Sequence, residues 1–435
     1  MKKNSTMGLS TFLLVVFTAC NTFLPIYGKV GFPKSMGMDH QFPPTITRPV
    51  GGIPIGHLRP LGFQRNPSGK VMNTLEMPHA HAFNIKYIKS NKPVVIREAM
   101  KHQPILKEWE NDAYLENKYG KLNVTVTVKK ERRAHEYQWM TMKKFLMDYT
   151  YEDWYLSTII PPEMAKELPV PGCMRCGTYR KRLQEAELWM SSGGTASMLH
   201  SHEDHTLHCV LFGRKDFIVI EAEHRKHFNY KEKYHNAGAG YSPLDMDFIN
   251  MFQNSNIAKT PWTYSTLSPG DCLFLPAGYM HQVRSYGRGM SYTVLFAPSL
   301  EFDSSDCRLP VAKKDDKPSI PSLADVDFVW TSRNGDRVLD ADKMSPTMLT
   351  HILDMLIRDK DKLHKEQFEH FYLDALQKAY NYPPAKTAFE ILTGNPGKKF
   401  ITRTEIRNLK LEQLQRLCIL YNDAFLEPTF NKEEL

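Results

Sequence analysis

The chain has 435 residues, of which 42% are hydrophobic and 11% aromatic. These proportions exclude a disordered or fibrous chain and allow two or three hydrophobic cores. Lysine and arginine number 56 against 48 aspartates and glutamates, which gives a formal net charge of +8. The densest basic runs, at residues 129–133 and 179–182, are typical of solvated faces, so no nucleic-acid partner is expected.

The first residues predict an address in the secretory pathway. Lys2 and Lys3 precede an apolar run at residues 9–19 that is too short to cross a bilayer. We therefore predict a signal peptide over residues 1–28, with a signal anchor as the alternative. No later stretch has the length and apolarity of a transmembrane helix, so the mature chain is expected to have no membrane span.

Two further features agree with this address. Residues 431–435 end in Lys-Glu-Glu-Leu, which resembles the retrieval signal of the endoplasmic reticulum. Asn123 begins the one usable Asn-x-Thr sequon of the mature chain and predicts a glycoprotein. The predicted location is the endoplasmic reticulum lumen, and secretion is the alternative.

The cysteines suit an oxidising compartment. Of the 7 cysteines, Cys20 is removed with the predicted signal peptide, which leaves an even set. Cys173 and Cys176 form a CxxC motif that predicts a local disulfide rather than a redox centre. Cys209 and Cys272 lie in two apolar segments, where free buried thiols are as well accommodated as a disulfide.

The first elements follow from composition and periodicity. Residues 29–77 are rich in proline and glycine and predict an extended lead-in, so the globular part is expected to begin near Pro78. A helix at 83–89 and a buried strand at 92–100 are predicted next. They are followed by one amphipathic helix at 105–119 and an alternating strand at 122–128.

The most informative residues lie in two later segments. Residues 198–217 (MLHSHEDHTLHCVLFGRKDF) place several histidines and acidic residues at the start of an apolar strand, and residues 270–283 (GDCLFLPAGYMHQV) add His281. Residues two apart in a strand share a face, so His200, His202 and Asp204 can all face one ion. Two histidines and a carboxylate are a donor set that binds non-haem iron. His205 and His208 are expected at the surface or behind the ligands.

The order of these motifs resembles that of JmjC-type oxygenases. Ahead of the histidines come KPVVIR, WENDAYLENKYG, MTMKKFL and WYL, in the order typical of the small, cupin-like JmjC hydroxylases. The resemblance covers about residues 78–300. It implies an α+β chain whose main domain is a double-stranded β-helix, also called a jelly-roll or cupin fold.

The resemblance also implies a metal site, with one position left open. The family carries His-x-Asp followed by a later histidine. An ungapped alignment on residues 207–213 makes His200 and His281 ligands and places His202 where the family has its carboxylate. A shift of two residues would instead make His202 and Asp204 the His-x-Asp pair. Both alternatives, a three-histidine site and a shifted carboxylate, remain open at this point.

Fe(II) and 2-oxoglutarate are the cofactors that the resemblance implies. Lys215 matches the family's lysine that binds the distal carboxylate of 2-oxoglutarate. Ser197 matches the hydroxyl residue beside it, and Tyr155 matches a third contact. Thr206 stands where relatives often carry asparagine, which is a departure from the pattern.

The remainder of the chain has a different character. Residues 301–323 predict a polar, proline-rich linker, and residues 324–430 have the helical periodicity of a smaller all-α domain. Loops at residues 332–343 and those ending at Gln367 and Glu405 resemble degenerate EF-hands. Calcium binding is not expected, because Lys343, Lys360 and Lys398 occupy positions that require oxygen ligands.

The predicted function is an Fe(II)- and 2-oxoglutarate-dependent hydroxylase that acts on a protein side chain in the secretory pathway. The alternative is a catalytically inactive JmjC protein that serves as a lumenal binding or scaffold protein. His202 at the carboxylate position and Thr206 favour this alternative. A third hypothesis, a matrix or calcium-handling protein, would give the leading role to the helical module.

Overall fold

A computed structural model describes residues 41–424, except for residues 131–136, 232–237, 300–301, 308–319, 340–343, 345, 358–359, 377–378, 380 and 382. The predicted signal peptide and the Lys-Glu-Glu-Leu tail therefore lie outside the described residues. Within them, none of the helices has the length and apolarity that crossing a membrane requires.

The first domain is built mainly of strands. They are β1 (Gly69–Lys70), β2 (Met72–Thr74), β3 (Val94–Ile96), β4 (Asn123–Val128), β5 (Gln138–Thr141), β6 (Trp154–Ile159), β7 (Leu183–Ser191), β8 (Thr195–Ala196), β9 (His200–His202), β10 (His205–Phe212), β11 (Lys215–Ile220), β12 (Gly238–Tyr241), β13 (Thr263–Leu267), β14 (Cys272–Leu275), β15 (Met280–Ser285) and β16 (Gly289–Phe296). Its helices are α1 (Ala80–Phe83), α2 (Ile105–Glu108), α3 (Asp112–Tyr119), α4 (Met142–Asp148) and α5 (Pro162–Ala165).

Two sheets form the double-stranded β-helix. Among the described residues, the larger sheet has the order β2-β3-β14-β10-β16-β7-β6-β4-β5. The smaller has the order β1-β13-β11-β15-β9-β12, with β8 beside β15. Strands close in space are far apart in sequence, as expected for a jelly roll. The predicted fold class is confirmed.

Alternation along the strands separates a packed core from a central pocket. On β10, Leu207, Cys209 and Leu211 belong to the main hydrophobic cluster, which also contains Trp109 and Phe145 from the helical layer. The neighbouring positions on β10 face the other way, into the space between the two sheets. That space is a cavity of about 480 Å³, called the central pocket below.

The lead-in prediction for residues 29–77 is wrong for its second half. β1 pairs in parallel with β13, and β2 pairs in parallel with β3, so both strands belong to the domain's sheets. Leu61 and Val71 are buried. Short parallel edge strands carry little periodicity, which explains why composition alone did not show them.

The helix predicted at residues 105–119 is two helices, α2 and α3. Asn111, in the break between them, accepts a hydrogen bond from the Ala113 N–H at 2.9 Å and caps the start of α3. Trp109 and Leu115 are buried, while Tyr114 is partly buried. A π-helix at Asn84–Ile88 continues α1 and confirms the helix predicted at 83–89. The strands predicted within 92–100 and 122–128 are also confirmed.

The C-terminal module contains helices and two small two-stranded antiparallel sheets. Its elements are β17 (Trp330–Arg333), β18 (Asp336–Leu339), α6 (Pro346–Ile357), β19 (Lys362–His364), α7 (Lys365–Ala375), α8 (Ala385–Thr393), β20 (Phe400–Thr402), α9 (Arg403–Arg407) and α10 (Leu411–Ala424). The helices share a separate hydrophobic cluster that includes Phe368, Phe389 and Tyr421. The module is largely helical as predicted, but it is not all-α.

The EF-hand-like interpretation of residues 332–343 is wrong in its first part. Residues 330–339 form an antiparallel hairpin, with Ser332 opposite Arg337. Asn334 and Gly335 occupy its turn with φ angles of 51° and 91°, which is the type I′ geometry that Asn-Gly favours. Lys343 lies outside the described residues. A hairpin forms here instead of a calcium loop because two consecutive residues with positive φ suit the turn between two antiparallel strands.

The two later loops keep a helix-loop-helix outline. β19 and β20 pair antiparallel, with Leu363 opposite Ile401, and join the unit of α6 and α7 to that of α8 and α9. Lys398 donates a hydrogen bond to Glu405, which also accepts from the Thr402 backbone at 2.9 Å. Whether these units derive from EF-hands remains a prediction.

The disulfide prediction for the CxxC motif is wrong. Cys176 pairs with Cys307 and Cys209 pairs with Cys272, while Cys173 and Cys418 are free and buried. Cys209 and Cys272 are register partners on β10 and β14. The side chain of Cys173 packs into the main hydrophobic cluster, to which Cys176 does not belong.

Candidate metal and cosubstrate site

Three histidines converge at one end of the central pocket. His200 and His202 lie two apart on β9 and share a face, and His281 on β15 is the register partner of His200. The ring centroids of His200 and His281 are 4.3 Å apart, and His202 lies 5.1 Å and 5.4 Å from them. One nitrogen from each ring lies within 4.8 Å of the other two.

Backbone carbonyls orient two of these rings. The His200 Nδ1 lies 2.8 Å from the Met198 carbonyl oxygen, and the His281 Nδ1 lies 3.3 Å from that of Tyr279. A carbonyl can only accept, so Nδ1 carries the proton in each ring and Nε2 keeps its lone pair. This is the usual arrangement for a metal-binding histidine, and the donor set therefore fits a divalent transition metal.

Asp204 is not part of the histidine cluster. Its side chain is buried, with 1% of its surface exposed, in the turn between β9 and β10. The structure thus brings together His200, His202 and His281 and not the alternative set that includes Asp204. Three neutral imidazoles leave more positive charge on a bound ion than two imidazoles and a carboxylate would.

Lys215 lies in the same pocket and provides its positive charge. It is 3% exposed, and its Nζ donates a hydrogen bond to the Tyr155 hydroxyl at 3.1 Å. Among the described residues, no carboxylate forms an ion pair with Lys215. Burial lowers the pKa of Lys215 to about 7, because an ammonium group loses its hydration there. An anionic ligand would offset that cost, so the residues fit a carboxylate cosubstrate.

Ser197 and Thr206 line the same pocket. The Ser197 hydroxyl accepts the Val283 N–H at 2.8 Å, which leaves its own hydrogen available to donate. Thr206 is buried on the pocket face of β10. All four predicted cosubstrate residues, Tyr155, Ser197, Thr206 and Lys215, therefore border one cavity with the three histidines.

Comparison with known proteins agrees with this geometry. Residues 80–301 match the family described as the cupin-like domain. Jumonji C domain-containing protein 5 of Drosophila melanogaster is 23% identical over 265 residues, which cover 57% of this chain and 64% of that protein. Lysine-specific demethylase 8 of Xenopus tropicalis is 25% identical over 236 residues, which cover 51% of each chain.

The chain belongs to the cupin-like JmjC family. JmjC proteins are 2-oxoglutarate-dependent oxygenases that use Fe(II), and the histidine cluster agrees with that family chemistry. Lysine-specific demethylase JMJ30 of Arabidopsis thaliana is also similar, at 24% identity over 232 residues. The match spans between about half and two thirds of the length of these relatives.

Of the two positions predicted for His205 and His208, at the surface or behind the ligands, the structure excludes the first. His205 and His208 are both 6% exposed, so neither is at the surface. The His205 Nδ1 accepts the Ala277 N–H at 3.0 Å, which gives it a structural role outside the pocket lining. His208 faces the pocket instead. The alternation of β10 from Thr206 was the signal that could have identified it.

The C-terminal module reaches the outer end of the pocket. Gly335 and Arg337 of the β17–β18 hairpin border the cavity together with Trp139. Arg337 Nε donates to the buried Glu185 carboxylate at 2.7 Å, and its guanidinium lies over the Trp330 ring. A Cβ on Gly335 would lie 2.9 Å from the Trp139 ring, so only glycine allows this close approach.

The basic run at residues 179–182 is a solvated face only in part, because Arg180 and Lys181 are exposed whereas its two outer residues are buried. Tyr179 is fully buried, and Arg182 forms an ion pair with Asp354 at 2.9 Å with 7% of its side chain exposed. This contact joins the JmjC domain to α6 of the C-terminal module. Part of the run at 129–133 lies outside the described residues.

Proposed function

We propose that this chain is an Fe(II)- and 2-oxoglutarate-dependent oxygenase that hydroxylates a side chain of a protein in the secretory pathway. The observation that carries the proposal is one cavity with two half-sites, a histidine cluster for the metal and Lys215 for the cosubstrate. At one end three imidazole nitrogens lie within 4.8 Å of one another. In the same cavity Lys215 is buried with no ion-pair partner among the described residues.

Each half-site has a defined role. His200, His202 and His281 would hold the metal. The rings of His200 and His281 are already in the tautomer that leaves Nε2 free to bind it. Lys215 and the Tyr155 hydroxyl would bind one carboxylate of 2-oxoglutarate. When bound, Fe(II) and 2-oxoglutarate supply the oxygen chemistry in which one atom leaves in succinate and the other enters a substrate C–H bond.

The rest of the pocket is suited to a protein side chain. Trp139 and Arg337 border its outer end, and Trp189 and Ile159 also line it. Apolar walls exclude water from a reacting C–H bond and surround the methylene groups of a side chain. Two of the three similar proteins are named lysine-specific demethylases. The residue that this chain hydroxylates is nevertheless part of the proposal.

Anaerobic titration tests the proposal directly. Fe(II) followed by 2-oxoglutarate should give the visible charge-transfer band of a chelated complex. The band should disappear in His200→Ala and His202→Ala and persist in Asp204→Ala, because the cluster contains His202 and not Asp204. Loss of the band in Asp204→Ala with retention in His202→Ala would show that the shifted carboxylate binds instead.

A second candidate function is a catalytically inactive JmjC protein that binds metal and dicarboxylate without turnover. The neutral donor set favours it, since within the described part of the chain no carboxylate joins the three histidines. Succinate production from 2-oxoglutarate in the presence of Fe(II), oxygen and ascorbate separates the two. Binding of 2-oxoglutarate without succinate formation, with or without a protein extract as substrate, would support the inactive alternative.

The endoplasmic reticulum lumen is the proposed compartment. Two disulfides, Cys176–Cys307 and Cys209–Cys272, support an oxidising environment. Asn123 is exposed on β4, where a glycan can be attached. Sensitivity of the expressed protein to endoglycosidase H, lost in Asn123→Gln, is the expected result. Absence of any glycan together with free thiols at all four cysteines would contradict this compartment.

A further inference from the structure

His208 is the pocket residue to which the metal and lysine half-sites give no role. It lies on β10, lines the central pocket and is 6% exposed. Its ring lies 5.1 Å from that of Phe217, which also lines the pocket. It is not one of the three clustered histidines.

The hydrogen bonds around His208 determine which nitrogen carries its proton. The Trp189 Nε1 donates to the Thr293 hydroxyl oxygen at 3.1 Å, and that oxygen lies 2.8 Å from His208 Nδ1. An indole N–H can only donate, and the Thr293 hydroxyl has one hydrogen of its own. Among the described residues, His208 Nδ1 is the acceptor within reach of that hydrogen. The arrangement that satisfies all three groups therefore has Thr293 donating to Nδ1, which places the His208 proton on Nε2.

The Nε2–H of His208 is a buried donor. Nε2 has no hydrogen-bond partner among the described residues. Burial, with a smaller contribution from Lys215, lowers the pKa of His208 well below its ordinary value, so the ring is neutral. A buried donor without an acceptor destabilises a protein, unless a ligand or water supplies the acceptor.

The other donor groups in the pocket indicate what that acceptor is. Lys215 is a buried ammonium group, and Ser197 has a hydroxyl hydrogen available. Glu185 also lines the pocket but is paired with Arg337, and the described residues place no carboxylate in an ion pair with Lys215. These donors therefore call for a ligand with several acceptor oxygens and negative charge. A dicarboxylate has both properties.

We propose that His208 is a cosubstrate-binding residue, which donates a hydrogen bond from Nε2 to a carboxylate oxygen of a dicarboxylate held by Lys215. This inference rests on the proposed function, since 2-oxoglutarate is the dicarboxylate in question. It adds a donor that the family resemblance did not assign. Thr293 becomes a positioning residue, because its hydroxyl fixes the tautomer of His208.

Binding of 2-oxoglutarate to the full chain loaded with Mn(II) tests the proposal. His208→Phe removes the donor while keeping an aromatic ring beside Phe217, and it should weaken 2-oxoglutarate binding by roughly 10- to 100-fold. His208→Gln keeps an N–H donor and should lose no more than about threefold. Mn(II) affinity, measured separately, should be unchanged in both variants.

His227→Gln is the matched control. His227 forms the same kind of pair, with Nδ1 2.7 Å from the Thr260 hydroxyl, but it does not line the pocket. Its substitution should leave both Mn(II) and 2-oxoglutarate affinity unchanged. A loss of affinity equal to that in His208→Phe would show a general effect on the fold and would overturn the proposal.

The tautomer is tested without any ligand. In protein labelled with ¹⁵N-histidine, the resonance that disappears in His208→Gln should be that of a neutral ring protonated at Nε2. Thr293→Val should change its chemical shift and weaken 2-oxoglutarate binding several-fold, even if His208→Phe does not fold. A proton found on Nδ1 of His208 would overturn the proposal.

The outcomes also separate this inference from the proposed function. If the parent protein binds Mn(II) but neither 2-oxoglutarate nor succinate, the proposed function fails and this inference fails with it. If the parent binds 2-oxoglutarate and His208→Phe binds it equally well, only the inference about His208 fails.

Discussion

Two regions of the sequence resemble cation sites, but cation binding is expected in only one of them, and the structure gives a lysine a different environment in each. In the JmjC domain, Lys215 is buried beside neutral histidines with no ion-pair partner among the described residues. In the C-terminal module, Lys398 lies in a loop that resembles a degenerate EF-hand and forms an ion pair with Glu405. The buried Lys215 therefore favours binding of an anionic ligand, whereas the ammonium group of Lys398 already occupies the place of a calcium ion.

The pKa shifts in the two regions express the same contrast. Loss of hydration lowers the pKa of Lys215 to about 7, so the folded protein bears a cost that an anion can remove. The hydrogen bond from Lys398 lowers the pKa of Glu405 to about 2, so that carboxylate is already stabilised in its charged form. Whether a charged residue has its partner within the chain therefore decides which region can act as a binding site.

Removal of a histidine ligand should have the largest effect. We expect His200→Ala and His281→Ala each to weaken divalent metal binding by about 100-fold or more, because each removes one of the three donors that the described residues bring together. Titration with Co(II), followed by visible absorption, measures this. Asp204→Ala is the control, and an equal loss of affinity there would mean that the carboxylate is a ligand.

Lys215→Met should reduce 2-oxoglutarate affinity of the Mn(II)-loaded protein by about 100-fold, because it removes the buried charge that would pair with a carboxylate. Calorimetry measures the dissociation constant. Lys144→Met, at a lysine with 59% of its side chain exposed, should leave it unchanged. A similar affinity in both variants would contradict the assignment of Lys215.

Lys215 should also give the ligand-free protein a distinct pH dependence. Its pKa is lower in the folded chain, about 7, than the ordinary value of 10.5, so between these values the unfolded chain binds more protons. The free energy of unfolding should therefore rise with pH across this window, by up to about 1.4 kcal/mol per pH unit. Below pH 7 both states are protonated and the lysine adds no slope.

Urea unfolding of the parent and of Lys215→Met across this pH range isolates the contribution of the lysine. The difference in unfolding free energy should favour Lys215→Met most strongly below pH 7 and shrink towards pH 10.5. A difference that does not depend on pH would show that the lysine stays protonated in the ligand-free fold.

Arg337 joins the two regions, and its removal should have an intermediate effect. Arg337→Ala leaves the Glu185 carboxylate, with 3% of its side chain exposed, without its ion-pair partner. We expect a loss of about 1–3 kcal/mol in unfolding free energy. The added substitution Glu185→Gln should recover part of it, since a neutral amide is less costly to bury. No recovery in the double variant would show that packing of the hairpin, not charge, is what Arg337 provides.

The smallest effect is expected in the calcium-like loop. Lys398→Ala should change the unfolding free energy by less than about 1 kcal/mol, because Lys398 and Glu405 are both substantially exposed. Calorimetry should detect no calcium binding in the parent. Tight, saturable calcium binding would contradict the conclusion that Lys398 occupies the place of the ion.

Local patterns in the sequence predicted much of the JmjC domain. The alternation around residues 198–217 and the later His281 identified the histidines that converge, because a strand fixes which residues share a face. The helical periodicity of 346–357, 365–375 and 411–424 likewise predicted helices of the C-terminal module. Such patterns depend only on neighbours along the chain.

Local patterns did not predict contacts between segments that are distant in sequence. The pairing of Cys176 with Cys307 joins residues 131 positions apart, and nothing near the CxxC motif indicates it. The same is true of the short strands β1 and β2, whose partners lie elsewhere in the chain. Neither a disulfide nor a parallel edge strand leaves a periodic signal of its own.

By itself, the sequence determined the family, the two histidine-bearing strands and the lysine that requires an anion. Only the tertiary structure decided that His202 and not Asp204 joins the cluster, that His208 faces the pocket and that Arg337 reaches its rim. The physical reason is that a residue's type and local period fix its chemistry and its face. Which charges and donors lack a partner depends on chain segments far away in sequence.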